Sequence, residues 1–136
     1  MFSMGNLEFL ASFRAKVTKR IEFGKTPIGE RRDVYFEGEL TGDILSGKME
    51  GIDYMITRTD GTLEVNVRAV ITTNDGAYIS VRISGYYYPG DSSIKDDRIR
   101  LFTSDEKYKW LCDKIIVGRG RSTPEEGLNV DYFYEP

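Results

Sequence analysis

Five polar residues stand close enough in sequence and pattern to do chemistry together: Asp53, Asn66, Arg68, Arg82 and Tyr86. Two arginines can hold a carboxylate, an enolate or a phosphate-like group through paired charge-assisted hydrogen bonds. An aspartate or a tyrosine beside them can move a proton. The rest of the sequence narrows the options. The 136 residues contain no histidine and one cysteine, Cys112. Ser-His and Cys-His nucleophile pairs, the usual catalytic zinc spheres, an internal disulfide and a multi-cysteine zinc cluster are thereby excluded. Acid–base work falls to Asp, Glu, Tyr or Lys, and no metal or cofactor is implied. Cys112 is expected to be a buried, inert thiol.

The elements that position these residues are strands. Short runs rich in Val, Ile, Tyr and Phe alternate with Gly, Asp and Asn clusters. Strands are expected at 7–21, 31–40, 44–49, 53–58, 63–72, 78–88, 98–103, 115–121 and 128–134. Many short strands in one chain of this length point to an all-β, closed antiparallel barrel or a sandwich, with residues 7–136 as one domain. Residues 1–6 read as a tail. The stretch 104–114 is expected to be a short helix. Thr103 and Glu106 have capping-box spacing, and Tyr108, Leu111, Cys112 and Ile115 fall on one helical face. Trp110 lies off that stripe and reads as a separate packing contact.

Two turns set the register of the meander Asp53–Gly85. Thr73-Asn74-Asp75-Gly76-Ala77 suits a three-residue loop with glycine in the left-handed region. It pairs Val67 with Ile83, Ala69 with Val81 and Ile71 with Ile79. Thr59-Asp60-Gly61-Thr62 suits a two-residue hairpin turn, pairing Ile56 with Val65 and Tyr54 with Val67. The opposite face then carries a polar ladder. Asp53 meets Arg68, which meets Arg82; Met55 meets Asn66, which meets Ser84; Thr57 meets Glu64, which meets Tyr86. Two arginines directly across a strand pair repel unless something negative lies between them. The ladder faces either water, where screening makes it cheap, or the barrel lumen, where it would bind a small anionic ligand.

The ordered pieces Gly24-Lys25-Thr26-Pro27-Ile28-Gly29-Glu30-Arg31-Arg32, Gly51-Ile52-Asp53, Asn66-Val67-Arg68, Thr73-Asn74-Asp75-Gly76-Ala77, Tyr108-Lys109-Trp110-Leu111 and Val117-Gly118-Arg119-Gly120-Arg121 resemble the DUF3237 family of uncharacterised proteins. The resemblance runs from Leu7 to about Tyr134. It implies a closed, calycin-like antiparallel barrel that often self-associates, and no established reaction. The family pattern usually has Asp where this chain has Asn66, Gly-Gly where it has Glu37-Gly38, and often Asn where it has Cys112. An amide does not take a proton near neutral pH, so Asn66 could not serve as a base.

Other signals read as structure. Gly118-Arg119-Gly120-Arg121 is not followed by a helix and fails the dinucleotide pattern; its glycines mark bends or bulges. Asp91–Asp97 lacks the glycine and terminal glutamate of a calcium loop and reads as a solvated loop. A net charge of −3 without a Lys/Arg block gives no nucleic-acid footprint. The short polar start is no signal peptide, and no apolar run approaches the ~20 residues of a membrane helix, so a cytoplasmic location is expected. The functions in view are an isomerase- or cyclase-type enzyme acting on a small organic acid or carbonyl compound, a non-catalytic ligand-binding barrel, and a self-assembling structural barrel.

Overall fold

The computed structural model describes residues 6–123 and 127–136; residues 1–5 of the expected tail lie outside them. Eight antiparallel strands close into a barrel in chain order: β1 (Glu8–Thr26), β2 (Gly29–Thr41), β3 (Gly47–Thr57), β4 (Leu63–Thr73), β5 (Tyr78–Tyr87), β6 (Ser93–Phe102), β7 (Ile116–Thr123) and β8 (Gly127–Tyr134), with β8 returning to β1. The strands expected at 44–49 and 53–58 merge into the one strand β3, which leaves residues 44–46 and 58 outside it. Gly51 does not turn the chain there; it lets β3 pass close over β4, since a Cβ at Gly51 would meet Ala69 Cα at 2.7 Å. No helix among the described residues is long and apolar enough to cross a membrane.

One helical segment lies between β6 and β7, within the stretch expected, but it is a 3₁₀ helix of five residues, Lys109–Asp113. The Thr103 hydroxyl accepts from the Asp105 N–H and Asp105 Oδ1 accepts from the Lys107 N–H. Those local side-chain bonds compete with the capping box and shorten the helix. Tyr108 and Leu111 are buried, and Ile115 at the end of the expected stripe is exposed. Trp110 packs edge-on against Tyr134 at 5.4 Å between ring centroids. Cys112 is half-buried, its Sγ 3.6 Å from the Thr103 carbonyl oxygen.

The barrel interior divides into two halves. The half nearest the 3₁₀ helix is packed by Leu10, Leu40, Leu45, Met49, Ile71, Val81 and Leu101, with only about 10 Å³ of free space. The other half is hollow.

The β4–β5 register is the expected one: Val67↔Ile83, Ala69↔Val81 and Ile71↔Ile79, closed by a three-residue loop with Gly76 at φ 93°. The β3–β4 register is displaced by one residue from expectation, with Asp53↔Val67, Ile52↔Arg68 and Ile56↔Glu64. The cause is the turn. The Arg58 N–H donates to the Thr62 carbonyl at 2.8 Å and the Gly61 N–H to the Arg58 carbonyl at 2.9 Å. Thr59-Asp60-Gly61 is therefore a three-residue loop with Gly61 at φ 88°, a copy of Asn74-Asp75-Gly76. One extra loop residue turns every side chain of β3 to the opposite face.

Candidate functional site

The register shift decides where the five candidate residues lie. Asp53 shares the inward face with Val67 and is 8% exposed. Asn66, Arg68, Arg82 and Tyr86 project outward, so of the five only Asp53 faces the lumen. Arg68 and Arg82 do face each other, and Arg100 on β6 extends the row to three. Arg82 and Arg100 lie over the Phe102 ring at 5.5 and 5.0 Å. Tyr86 lies under the Arg58 guanidinium, which is paired with Glu64 at 2.6 Å. Asn66 contributes to the lumen through its backbone, its N–H donating to Asp53 Oδ1 at 3.0 Å.

A second carboxylate, absent from the sequence-derived set, joins Asp53 in the hollow half. Ser93–Asp97 is not a solvated loop but the start of β6, and Asp97 is 6% exposed. A bulge puts it there. Asp96 adopts φ 56° and the pairing with β7 skips between Lys95↔Arg119 and Asp97↔Gly118. The inward positions accordingly change from even, at Ile94, to odd, at Asp97, Ile99 and Leu101. Asp53 needs no bulge: the β3–β4 register is the same on both sides of it, at Asp53↔Val67 and Ile56↔Glu64, and simple alternation turns it inward with Met49. Its carboxylate takes up the Asn66 N–H.

The cavity around the two acids has a volume of about 80 Å³. Phe13, Phe36, Met55, Val65, Val67, Ile83 and Val130 supply apolar wall, while Tyr87, Tyr132 and Ser122 supply hydroxyls. Among the described residues lining it there is no lysine or arginine. Burial pushes the Asp53 carboxyl up to about 6, against the lowering effects of the Asn66 N–H and the Arg31 charge. Burial, reinforced by the charges of Asp53 and Asp96, pushes Asp97 up to about 7. The same burial, with Asp97 beside them, raises the Tyr87 and Tyr132 hydroxyls well above the usual phenol range. They remain protonated donors at any physiological pH. No group of three or more potential metal ligands occurs among the described residues.

Such an environment can hold one carboxyl ionised and the other protonated near neutrality, the condition for paired acid–base work. The signal for Asp97 was present in the chain. Ile94 lies an odd number of residues from Ile99 and Leu101, so all three can face one core only across a bulge.

Among solved structures, the chain is similar to a β-barrel-like protein of Acinetobacter baumannii, with 26% identity, a TM-score of 0.79 and coverage of 94% of this chain and 93% of that one. A protein of unknown function from Clostridium acetobutylicum gives 25% identity and a TM-score of 0.82 over 95% and 97% of the two chains. An enzyme from Penicillium herquei has the same fold, at a TM-score of 0.79, 23% identity and coverage of 96% and 94%. Among curated proteins, a UPF0311 protein of Clostridium acetobutylicum is 30% identical over 90% of each chain. Another UPF0311 protein, from Bradyrhizobium diazoefficiens, is 27% identical over 81% of this chain and 84% of its own. The family described as "Protein of unknown function (DUF3237)" matches residues 5–135, and the chain belongs to that family.

Proposed function

We propose that the hollow half of the barrel binds a small neutral carbonyl or enol compound, or the head of a larger one, and shifts protons on it, in an isomerase- or cyclase-type reaction. The observation that supports this reading is the pair of buried carboxyls, Asp53 and Asp97, on one apolar cavity with their affinities for protons raised toward neutrality. Asp53, the more readily ionised, is the base that removes a proton from an acidic C–H or O–H. Asp97, still partly protonated near pH 7, is the acid that delivers one to a carbonyl oxygen. Tyr87 and Tyr132 orient that oxygen as neutral donors. The reaction needs no activated nucleophile and no redox partner, consistent with a chain that lacks histidine.

A lumen with two carboxyls and no lining cation disfavours an anionic ligand, so the carbonyl compound is preferred over the organic acid. The cavity is roughly half the volume of an engineered cavity that holds benzene. It therefore takes a group of a few heavy atoms. Self-association rests on a separate feature: β3 turns Ile52, Tyr54 and Ile56 outward, an apolar stripe on the barrel exterior. Sedimentation of Ile56→Lys against the wild type tests it, a smaller species in the variant being expected.

Proton abstraction can be tested without the natural substrate. Acetone in D₂O should take up deuterium at its α-carbon faster with the protein than in buffer. Asp53→Asn should reduce that enhancement by at least about 100-fold, the usual contribution of a positioned base. Equal exchange for the wild type, Asp53→Asn and Asp97→Asn would exclude acid–base action by the pair.

A further inference from the structure

We infer that Gly85 is a positioning residue for the acid–base pair: by having no side chain it creates the place in the wall where the Asp97 carboxyl enters the lumen. This inference deepens the proposed function and uses the same site, but it rests on packing that exists without any ligand.

Gly85 lies on β5 at an inward position, in step with Ile79, Val81 and Ile83, where every other residue carries a side chain into the core. A Cβ built on Gly85 would overlap Asp97 Oδ1 and would stand 2.8 Å from Asp97 Cγ. Real Cβ atoms do not approach a carboxyl carbon so closely, and the obstruction is a short side chain fixed at a bulge. The backbone of Gly85 has no positive φ among those recorded for the chain's glycines. The requirement for glycine at this position is therefore the space that Asp97 occupies, not the conformation of the chain.

Two further features belong to the same arrangement. The β5–β6 pairing runs from Ser80↔Phe102 to Ser84↔Arg98 and ends immediately before Gly85, where Asp97 would be its partner. On the other side of Asp97, β7 presents Gly118, and a Cβ there would come within 2.9 Å of the Tyr132 ring. Asp97 thus lies between two glycines, one making room for its carboxyl and the other for the tyrosine that faces it. The charged and titratable groups bearing on Asp97 are Asp53 on β3, Tyr87 on β5, Asp96 on its own strand and Tyr132 on β8. None is a cation, so Asp97 is held in place by shape and not by an ion pair.

Carboxyl ¹³C titration of the unliganded protein tests the assignment. In the wild type Asp97 should titrate near 7. In Gly85→Ala, with the fold verified by its amide spectrum, the Cβ should expel the carboxyl toward solvent. Its midpoint should then fall to the ordinary aspartate range near ~4. An unmoved midpoint in a folded Gly85→Ala would overturn the inference. If Gly85→Ala does not fold, Gly85→Ala/Asp97→Ala removes the obstructing carboxyl. Recovery of folding in the double variant supports the inference, and failure to recover refutes it. Neither readout involves turnover. Loss of the deuterium-exchange result would leave Gly85 with its role, and a failed titration would leave the lumen reading to stand on Asp53 and Asp97 themselves.

Discussion

Replacing Asp97 by Asn should stabilise the protein at pH 8 and destabilise it by about 2 kcal/mol at pH 4, where only the unpartnered amide counts. Asp97 is held with its proton affinity raised from the usual 3.8 to about 7, chiefly by burial. The folded state therefore binds more protons than the unfolded chain between those two values, and stability falls as pH rises through that window. Below about pH 4 the carboxyl is neutral in both states and imposes no penalty. Above about pH 7 the full cost is present, which at 1.36 kcal/mol per unit comes to roughly 4 kcal/mol. Asn keeps the shape and removes the charge, but its amide must still find partners, so a net gain of about 2 kcal/mol is expected. For a domain of this size that is a Tm increase of roughly 6–10 °C. Asp53, raised to about 6, adds a smaller dependence of the same sign. The surface acids Asp60, Asp75 and Asp91 have lowered proton affinities and act in the opposite sense, below about pH 4, so the two windows do not overlap. Urea unfolding of both proteins at pH 4, 6 and 8 reads the effect directly. A gain for Asp97→Asn that is the same at every pH, or a loss at pH 8, would refute the idea that a buried charge lies behind it.

Three other perturbations follow from the geometry. Asp75 accepts from Thr73 Oγ1 at 2.5 Å within its own turn and joins that turn to the segment before the 3₁₀ helix through Lys107 Nζ at 2.8 Å and the Tyr108 hydroxyl at 2.9 Å. Asp75→Ala should lower Tm by several degrees, and because Asp75 is held well below the usual carboxylate range, the wild type should lose the same contribution on acidification below about pH 4. Gly76→Ala places a side chain at φ 93° and should cost about 1–2 kcal/mol in chemical unfolding, with little change in the lumen because nothing lies within 4 Å of the new Cβ. Arg82→Thr removes the middle charge of the Arg68–Arg82–Arg100 row. It should raise stability by roughly a few tenths of a kcal/mol at low ionic strength, an advantage that fades in 1 M salt.

The barrel was legible in the chain because strand alternation and Gly-Asp turns are local signals. The β4–β5 pairing followed from one of them without error. The same Asp-Gly pair at Asp60-Gly61 admits a two-residue or a three-residue loop, and hydrophobic alternation favours the wrong one. Ile52, Tyr54 and Ile56 look like core residues, whereas Met49, Gly51, Asp53 and Met55 do not, yet the second set faces inward. A strand that turns an aspartate inward and leaves half-buried isoleucines on the outer face breaks the pattern at the point where the candidate chemistry lies. Asp97 was hidden for a related reason. A run of seven residues with three aspartates reads as solvated loop until the bulge at Asp96 is allowed for. Even then its inward turn depends on Gly85, twelve residues earlier and on another strand.

An acid–base site for a small neutral ligand in the hollow half of the barrel has a direct structural consequence. A crystal structure of the protein soaked with acetone near pH 7, a ligand small enough for the cavity, decides it. The ligand should occupy the cavity between β3, β5, β6 and β8 with its oxygen within hydrogen-bonding distance of Asp53 or Asp97, and the site should be empty in the Asp53→Asn/Asp97→Asn protein. Fragments bound only on the barrel exterior, or bound in the lumen equally well without the two carboxyls, would contradict it.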